Sequence, residues 1–199
     1  MYLKILAHPV FANLNFHMPM VVDLSHPLLM ITGENGSGKS TLLHSIFLAL
    51  KGEQREGYIY RLDKGGVEPG KVFLFDAEQH NPRTQLELFQ DQPEMLEFLQ
   101  IASHGQVMLA MFRQNFPSLG DGTILMLDEP EMALSTSNQR RILKMLMELV
   151  DQKNFRIICA THSPVLVEAE ETYVINLDNY VNHNVPLESF GVEGASTIQ

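Results

Sequence analysis

Cysteine is almost absent. Cys159 is the single thiol in 199 residues, so no disulfide within the chain can staple the fold. A chain of this length buries roughly 70% of its unfolded surface and needs no staple. Apolar runs are short. None approaches the roughly 18 residues that make a transmembrane helix, and the longest, Leu42 to Leu50, is helix-sized and holds His44 and Ser45. The opening ten residues carry one lysine and a very short apolar stretch, too little for a signal peptide. The expectation is a soluble, cytoplasmic protein without membrane insertion, one domain spanning residues 1–199. Positive charge is scarce as well: 14 Lys and Arg face 24 Asp and Glu, for a net charge of −10. A domain that grips phosphate backbones alone carries a basic face, so direct DNA binding by this chain alone is not expected. No Lys or Arg follows Arg156, whereas Glu168, Glu170, Glu171, Asp178, Glu188 and Glu193 do. That stretch reads either as a solvated acidic tail or as a docking surface for a basic partner.

What the chain does contain is ordinary globular material, 45% hydrophobic and 19% charged, which excludes a disordered polymer. Short apolar runs alternate with helical patterns, the signature of an α/β fold with a mainly parallel core sheet flanked by helices. The runs are Leu28–Ile31, Val72–Phe75, Ile124–Leu127, Phe155–Ala160 and Tyr173–Leu177. Helices are expected from Lys39 to Leu50 and from Gln139 to Val150. The second has Ile142, Leu143, Leu146, Leu149 and Val150 on one face. The region from Leu3 to Leu24 suggests N-terminal antiparallel strands at a sheet edge. Residues 81–120 turn helical and Gln/Glu-rich, and read as a small helical insertion.

Gly33-Glu34-Asn35-Gly36-Ser37-Gly38-Lys39-Ser40-Thr41 satisfies G-x-x-x-x-G-K-[ST] in full, between an apolar strand and an amphipathic helix. Glycines let successive backbone N–H groups turn inward around phosphate oxygens. The helix N-terminus adds partial positive charge. In such a loop Lys39 reaches the β- and γ-phosphates, Ser40 ligates Mg²⁺ and Thr41 touches the α-phosphate. A second element, Thr123 to Leu127, is a buried strand ending in Asp128-Glu129-Pro130-Glu131. Asp128 suits the carboxylate that organises Mg²⁺. Glu129, one residue on, suits the base that polarises an attacking water. Glu131 reads as structural or as a helix start.

At these residues the sequence resembles the ABC-type P-loop ATPases, in the wording of its motifs the soluble branch near the SMC, RecF and OLD families. Gly33–Thr41 resembles their Walker A motif, and Leu125–Pro130 their Walker B with its DEP ending. Ser103-His104-Gly105-Gln106 resembles a degenerate form of the LSGGQ signature, with Ala102 in place of the leading Leu. Met132–Ser135 stands at the D-loop, where Ser135 replaces the usual Asp. Ala160-Thr161-His162-Ser163-Pro164 resembles the switch-histidine segment. Gln79, with Glu78 as its competitor, stands at the Q-loop. Phe11 and Phe16 are candidates for an adenine-stacking ring, with core packing the simpler role.

The resemblance implies an ATPase that hydrolyses ATP with Mg²⁺ at a site shared between two chains. Glu129, His162 and Gln79 would be catalytic, with Ser40, Asp128 and Gln79 around the metal. Gly33 to Thr41 would hold the nucleotide on one chain, and Ser103, Gly105 and Gln106 of the second would cap it. ATP would then join two copies, because only the closed dimer contacts it from both sides. The output implied is the driving or gating of a separate effector protein in nucleic-acid processing, DNA repair or phage defence. The alternative is the nucleotide-binding subunit of a membrane transporter. His8, His17, His26, His44, His80 and His183 show no ligand spacing, so no zinc site is expected.

Overall fold

The computed structural model describes residues 1–13, 18–65, 70–77, 80, 90–91, 93–170 and 172–180. The first half of the chain runs β1 (Tyr2–Ala7), α1 (Pro9–Asn13), β2 (Met20–Asp23), β3 (Leu28–Thr32), α2 (Lys39–Lys51), β4 (Ile59–Asp63) and β5 (Val72–Asp76). The second half runs α3 (Pro93–Ile101), α4 (His104–Asn115), β6 (Ile124–Asp128), α5 (Thr136–Lys153), β7 (Arg156–Ala160), α6 (Pro164–Val167) and β8 (Tyr173–Asn176).

The five apolar runs are the five strands of one parallel sheet, in the order β5-β6-β7-β3-β8. They read as near-continuous hydrophobic segments because both faces of the sheet are covered. Alternate side chains divide between the faces. Leu29, Ile31, Ile124, Met126, Ile158 and Ala160 point to one side, where Leu42, Leu43 and Ile46 of α2 pack on them. Leu28, Met30, Leu125, Leu127, Ile157 and Cys159 point to the other, under α4, α5 and α6. On α5, Ile142, Leu146 and Leu149 are buried, while Leu143 and Val150 pack as half-buried flanks. Each fully buried aliphatic side chain of this kind contributes about 1.5–3 kcal/mol.

The N-terminal strands are antiparallel as expected, but they do not lie at the edge of the core sheet. β1 pairs with β2 on one side and β4 on the other to make a separate three-stranded sheet. The reason lies in their burial. Leu3 and Ile5 of β1, and Met20 and Val22 of β2, are sequestered on one face and join the α2 side of the core. The exposed positions of β4 alternate with half-buried ones, so this sheet keeps a face toward solvent. The buried face packs on the α2 side of the core, and among the described residues none of the three strands pairs with β5 or β8, the edges of the core sheet.

Within the described residues, the helical insertion consists of α3 and α4. Phe112 anchors α4 against the sheet, its ring 5.1 Å from that of Phe75. Among the described residues no helix is long and apolar enough to cross a membrane.

The register sets the site. Asp76 is level with Asp128, Asp128 with Ala160, and Ala160 with Ile31. The segments following β3, β6 and β7 therefore leave the sheet at the same carboxyl edge, where open parallel sheets bind ligands.

Candidate nucleotide site

The Gly33–Thr41 loop joins β3 to α2 in a conformation that depends on glycine. Gly38 caps α2 at φ 96°, in the left-handed region that glycine adopts without strain. At Gly33 a Cβ would come within 2.6 Å of Ser37 Oγ. That same Ser37 hydroxyl is buried and has no hydrogen-bond partner. A buried polar atom without a partner costs free energy unless a ligand supplies one, and a phosphate oxygen suits this loop. Lys39 is buried, and its ammonium donates to the carbonyls of Gly33 at 3.2 Å and Glu34 at 3.0 Å. A cavity of about 260 Å³ opens over the loop, lined by Val10, Asn35, Gly36, Gly38, Lys39, Ser40, Thr41 and Glu129.

Ser40 donates to Asp128 Oδ1 at 3.0 Å. An octahedral Mg²⁺ with bonds of about 2.0–2.1 Å holds adjacent ligands about 2.9 Å apart. The hydroxyl and carboxylate thus already stand at the spacing of two neighbouring ligands, and the oxygen donors fit Mg²⁺. Burial pushes the Asp128 carboxyl above the usual range, the Ser40 hydrogen bond and His44 pull it back, and Asp76 and Glu129 add to the upward push.

Glu129 has φ 46°, a left-handed conformation uncommon for a residue with a Cβ. Two backbone bonds hold it there: Glu129 N–H donates to Ala160 O at 2.9 Å, and Met132 N–H donates to Glu129 O at 3.0 Å. The twist leaves the Glu129 carboxylate half exposed, with Oε1 3.5 Å from His162 Nε2. The structure therefore brings together Gly33 to Thr41, Asp128, Glu129 and His162. Gln79 and Glu78, the two Q-loop candidates, lie outside the described residues, as does Phe16. Phe11 is fully buried in the core.

The Ser103–Gln106 turn is the N-terminus of α4, and its polar groups are engaged with one another. Gln106 N–H donates to Ser103 Oγ at 3.3 Å, and Ser103 N–H donates to Gln106 Oε1 at 2.7 Å, a capping box. Gly105 has a packing reason: a Cβ there would meet Asn138 Nδ2 and Leu134 Cδ2, each at 3.1 Å. The Ser103–Gln106 turn is thereby seated on the Leu134–Asn138 segment. Ser135 of that region caps α5, accepting from Asn138 N–H at 3.4 Å.

Three further residues support the site, and none stands out in the sequence. Asp178, read above as part of an acidic tail, accepts the Glu34 N–H with both carboxylate oxygens at 3.0 Å and so braces the first turn of the phosphate loop. Glu131 accepts the His162 N–H at 2.6 Å. It does not start a helix, since α5 begins at Thr136. Gln139 accepts from Ser163 Oγ at 2.8 Å and donates to Leu134 O at 3.0 Å, tying the segment after β7 to the segment after β6.

Comparison with known proteins bears on the fold and on what the chain is similar to. The profile of a family described as "AAA domain" matches residues 12–80. A second, described as "AAA domain, putative AbiEii toxin, Type IV TA system", matches residues 106–168. The molybdate import ATP-binding protein MolC of Haemophilus influenzae is 26% identical over 196 residues, covering 86% of this chain and 74% of its own length. An uncharacterized ABC transporter ATP-binding protein of Methanocaldococcus jannaschii is 26% identical over 170 residues, covering 68% of this chain and 58% of its own. Among solved structures, one described as a metal-chelate type ABC transporter in an inward-facing conformation aligns with a TM-score of 0.53 at 21% identity, over 89% of this chain and 80% of that one. A dimeric ATP-binding cassette in a post-hydrolysis state with ADP and Pi aligns with a TM-score of 0.50 at 13% identity, over 89% of this chain and 95% of that one. The fold is that of ABC ATPase domains, and the two profiles that match parts of the chain are both of AAA domains. The two curated relatives are named as a molybdate import ATP-binding protein and an ABC transporter ATP-binding protein.

Proposed function

We propose that the chain binds and hydrolyses Mg²⁺-ATP, that two copies close around the nucleotide, and that the cycle drives a membrane transporter as its nucleotide-binding subunit on the cytoplasmic side. The observation that carries the ATPase reading is the convergence of Lys39, the Ser40–Asp128 pair and the Glu129–His162 pair at one sheet edge. Gly33 to Thr41 hold the phosphates. Ser40 and Asp128 would hold Mg²⁺, and the ion would supply positive charge beside the phosphates. Glu129 takes a proton from the attacking water, and His162 bonds the γ-phosphate. The Ser103, Gly105 and Gln106 turn of the second copy caps that phosphate with its helix N-terminus. Gln79, outside the described residues, is proposed from the sequence resemblance alone as a catalytic group and metal ligand.

Glu131 is a positioning residue in this scheme, because it acts through the His162 backbone. Glu131→Ala is expected to lower kcat about tenfold, with KM for ATP changed less than about twofold, since the lost bond orients a group needed only in the transition state. Glu131→Gln keeps an acceptor oxygen and should restore most of the rate. Steady-state ATPase kinetics on the two variants check this.

The transporter reading rests on the relatives, and the helical insertion offers the place to couple. A groove of about 820 Å³ runs between α3, α4 and α5, with Phe98 and the 75% exposed Ile101 among its lining. A coupling helix from the permease would dock there. Ile101→Glu is expected to abolish co-purification with a membrane partner and to leave ATP hydrolysis by the isolated chain within about twofold. The second reading, a soluble effector in nucleic-acid processing or defence, is favoured by the profile match over residues 106–168. Native co-purification separates the two: an integral membrane protein supports the first, a nuclease or other nucleic-acid enzyme the second.

A further inference from the structure

One peptide unit of the Gly33–Thr41 loop is held at both ends by charge. Lys39 Nζ donates to Gly33 O at 3.2 Å, and the Glu34 N–H of the same amide donates to both Asp178 carboxylate oxygens at 3.0 Å. The order along the chain of bonds is carboxylate, N–H, C=O, ammonium. Each hydrogen bond in such a chain polarises the amide and strengthens the other, and bonds to ionised groups are about twice as strong as neutral ones. The next peptide unit shares the anchor. Glu34 O accepts from Lys39 Nζ at 3.0 Å and from the Ser37 N–H at 3.1 Å. One side chain from outside the loop, Asp178, thus fixes the plane on which Lys39 is seated.

Asp178 is itself delivered by a fixed strand end. β8 runs parallel to β3 with Asn176 level with Thr32. One residue on, the Leu177 N–H donates to Thr32 O at 2.8 Å, and the Leu177 side chain is buried. The Asp178 N–H donates to Asn176 Oδ1 at 2.9 Å. Asp178 Oδ1 lies 3.1 Å from the place a Cβ on Gly33 would take, and Ser37 Oγ lies 2.6 Å from the same place. The carboxylate, the glycine and the buried Ser37 hydroxyl therefore close on one another. A carboxylate beside a polyphosphate site repels the charge of the ligand, so it favours binding only through the shape it gives the loop. Without the Glu34 N–H bond the 33–34 amide is free to turn, and a turn carries Gly33 O away from Lys39.

We propose that Asp178 is a positioning residue for nucleotide binding, one that sets the loop and Lys39 in place before ATP arrives. It acts through the Glu34 N–H and Gly33 O. The inference deepens the reading of Gly33 to Thr41 as the phosphate site and rests on it. Ordering a site in advance removes that cost from the binding step. Once the phosphates are seated they order the loop themselves, so Asp178 governs affinity and not turnover.

The test uses the full chain. Asp178→Ala is expected to raise the Kd of a non-hydrolysable ATP analogue about tenfold by calorimetry, and KM for ATP with it, while kcat stays within about twofold. Asp178→Asn keeps an acceptor oxygen for the Glu34 N–H and should stay within about threefold of wild type. The Glu34 amide proton of the nucleotide-free chain reports the bond directly by nuclear magnetic resonance. It should lie downfield in wild type, keep most of that shift in Asp178→Asn and lose it in Asp178→Ala. A carboxylate acting by repulsion alone would make both variants bind the analogue more tightly. One serving fold stability alone would lower the melting temperature and leave Kd unchanged. Either result, or a fall in kcat at unchanged Kd, would overturn the proposal. If wild type and Asp178→Ala bind the analogue equally, only the role of Asp178 fails; if the wild type does not bind it, the nucleotide reading fails.

Discussion

Glu129→Gln is expected to lower ATP turnover by about 10²–10⁴-fold and to leave ATP bound. That loss corresponds to about 3–5 kcal/mol of barrier. The substitution keeps the size of the side chain and its acceptor oxygen, and removes its capacity to take a proton. The backbone bonds that hold residue 129 at φ 46° do not involve the side chain, so the turn survives. The lost charge also removes repulsion against an incoming γ-phosphate, which favours retention of ATP. In the shared-site scheme ATP contacts both copies only in the closed state, so blocking hydrolysis should trap that state. Light scattering with Mg²⁺-ATP should then report twice the 22.5 kDa of one chain. Wild type should show the dimer only transiently and release phosphate continuously. A variant that retains more than a tenth of the wild-type rate would mean that another group is the base. A variant that stays monomeric with ATP bound would overturn the shared site.

The strands of the core were readable in the sequence because a parallel sheet covered on both faces writes itself as unbroken apolar runs. The small antiparallel sheet was harder to place. β4 alternates exposed and half-buried positions along its length, so nothing local says which sheet it joins. The same division holds at the site. The Gly33–Thr41 loop and Asp128-Glu129 are contiguous stretches whose spacing alone points to the proposed chemistry. Asp178, Gln139 and Glu131 act through contacts made by crossing from one strand end to another. Asp178 reaches Glu34 across 144 positions of sequence, and no periodicity encodes that. Asp76 and His44 belong to the same class. The pairing of β5 with β6 and one turn of α2 bring them to Asp128, and each by itself reads as an ordinary polar residue. Register and crossing carry the supporting residues, whereas local pattern carries the motifs.

Lys39→Ala is expected to weaken ATP binding at least about 100-fold, an effect separable from the loss of catalysis. Lys39 is 5% exposed, a position that a lysine occupies only when its charge is satisfied. Here the ammonium donates to two carbonyls of its own loop, Gly33 O and Glu34 O, and has three hydrogens to give. The third is available to a phosphate oxygen in the cavity lined by the same loop. Truncation removes the charge that balances the β- and γ-phosphates and leaves the two carbonyls without the donor that shapes the loop. Lys39→Arg tests which of these matters. It restores the charge, but its planar fork does not reproduce a compact ammonium set among loop carbonyls. Arginine should therefore recover less than a tenth of the lost affinity if loop shape dominates. Calorimetric titration with a non-hydrolysable ATP analogue, on variants whose circular dichroism matches wild type, measures both. Near-wild-type affinity in Lys39→Ala would remove the phosphate loop from nucleotide binding, and the proposed function with it.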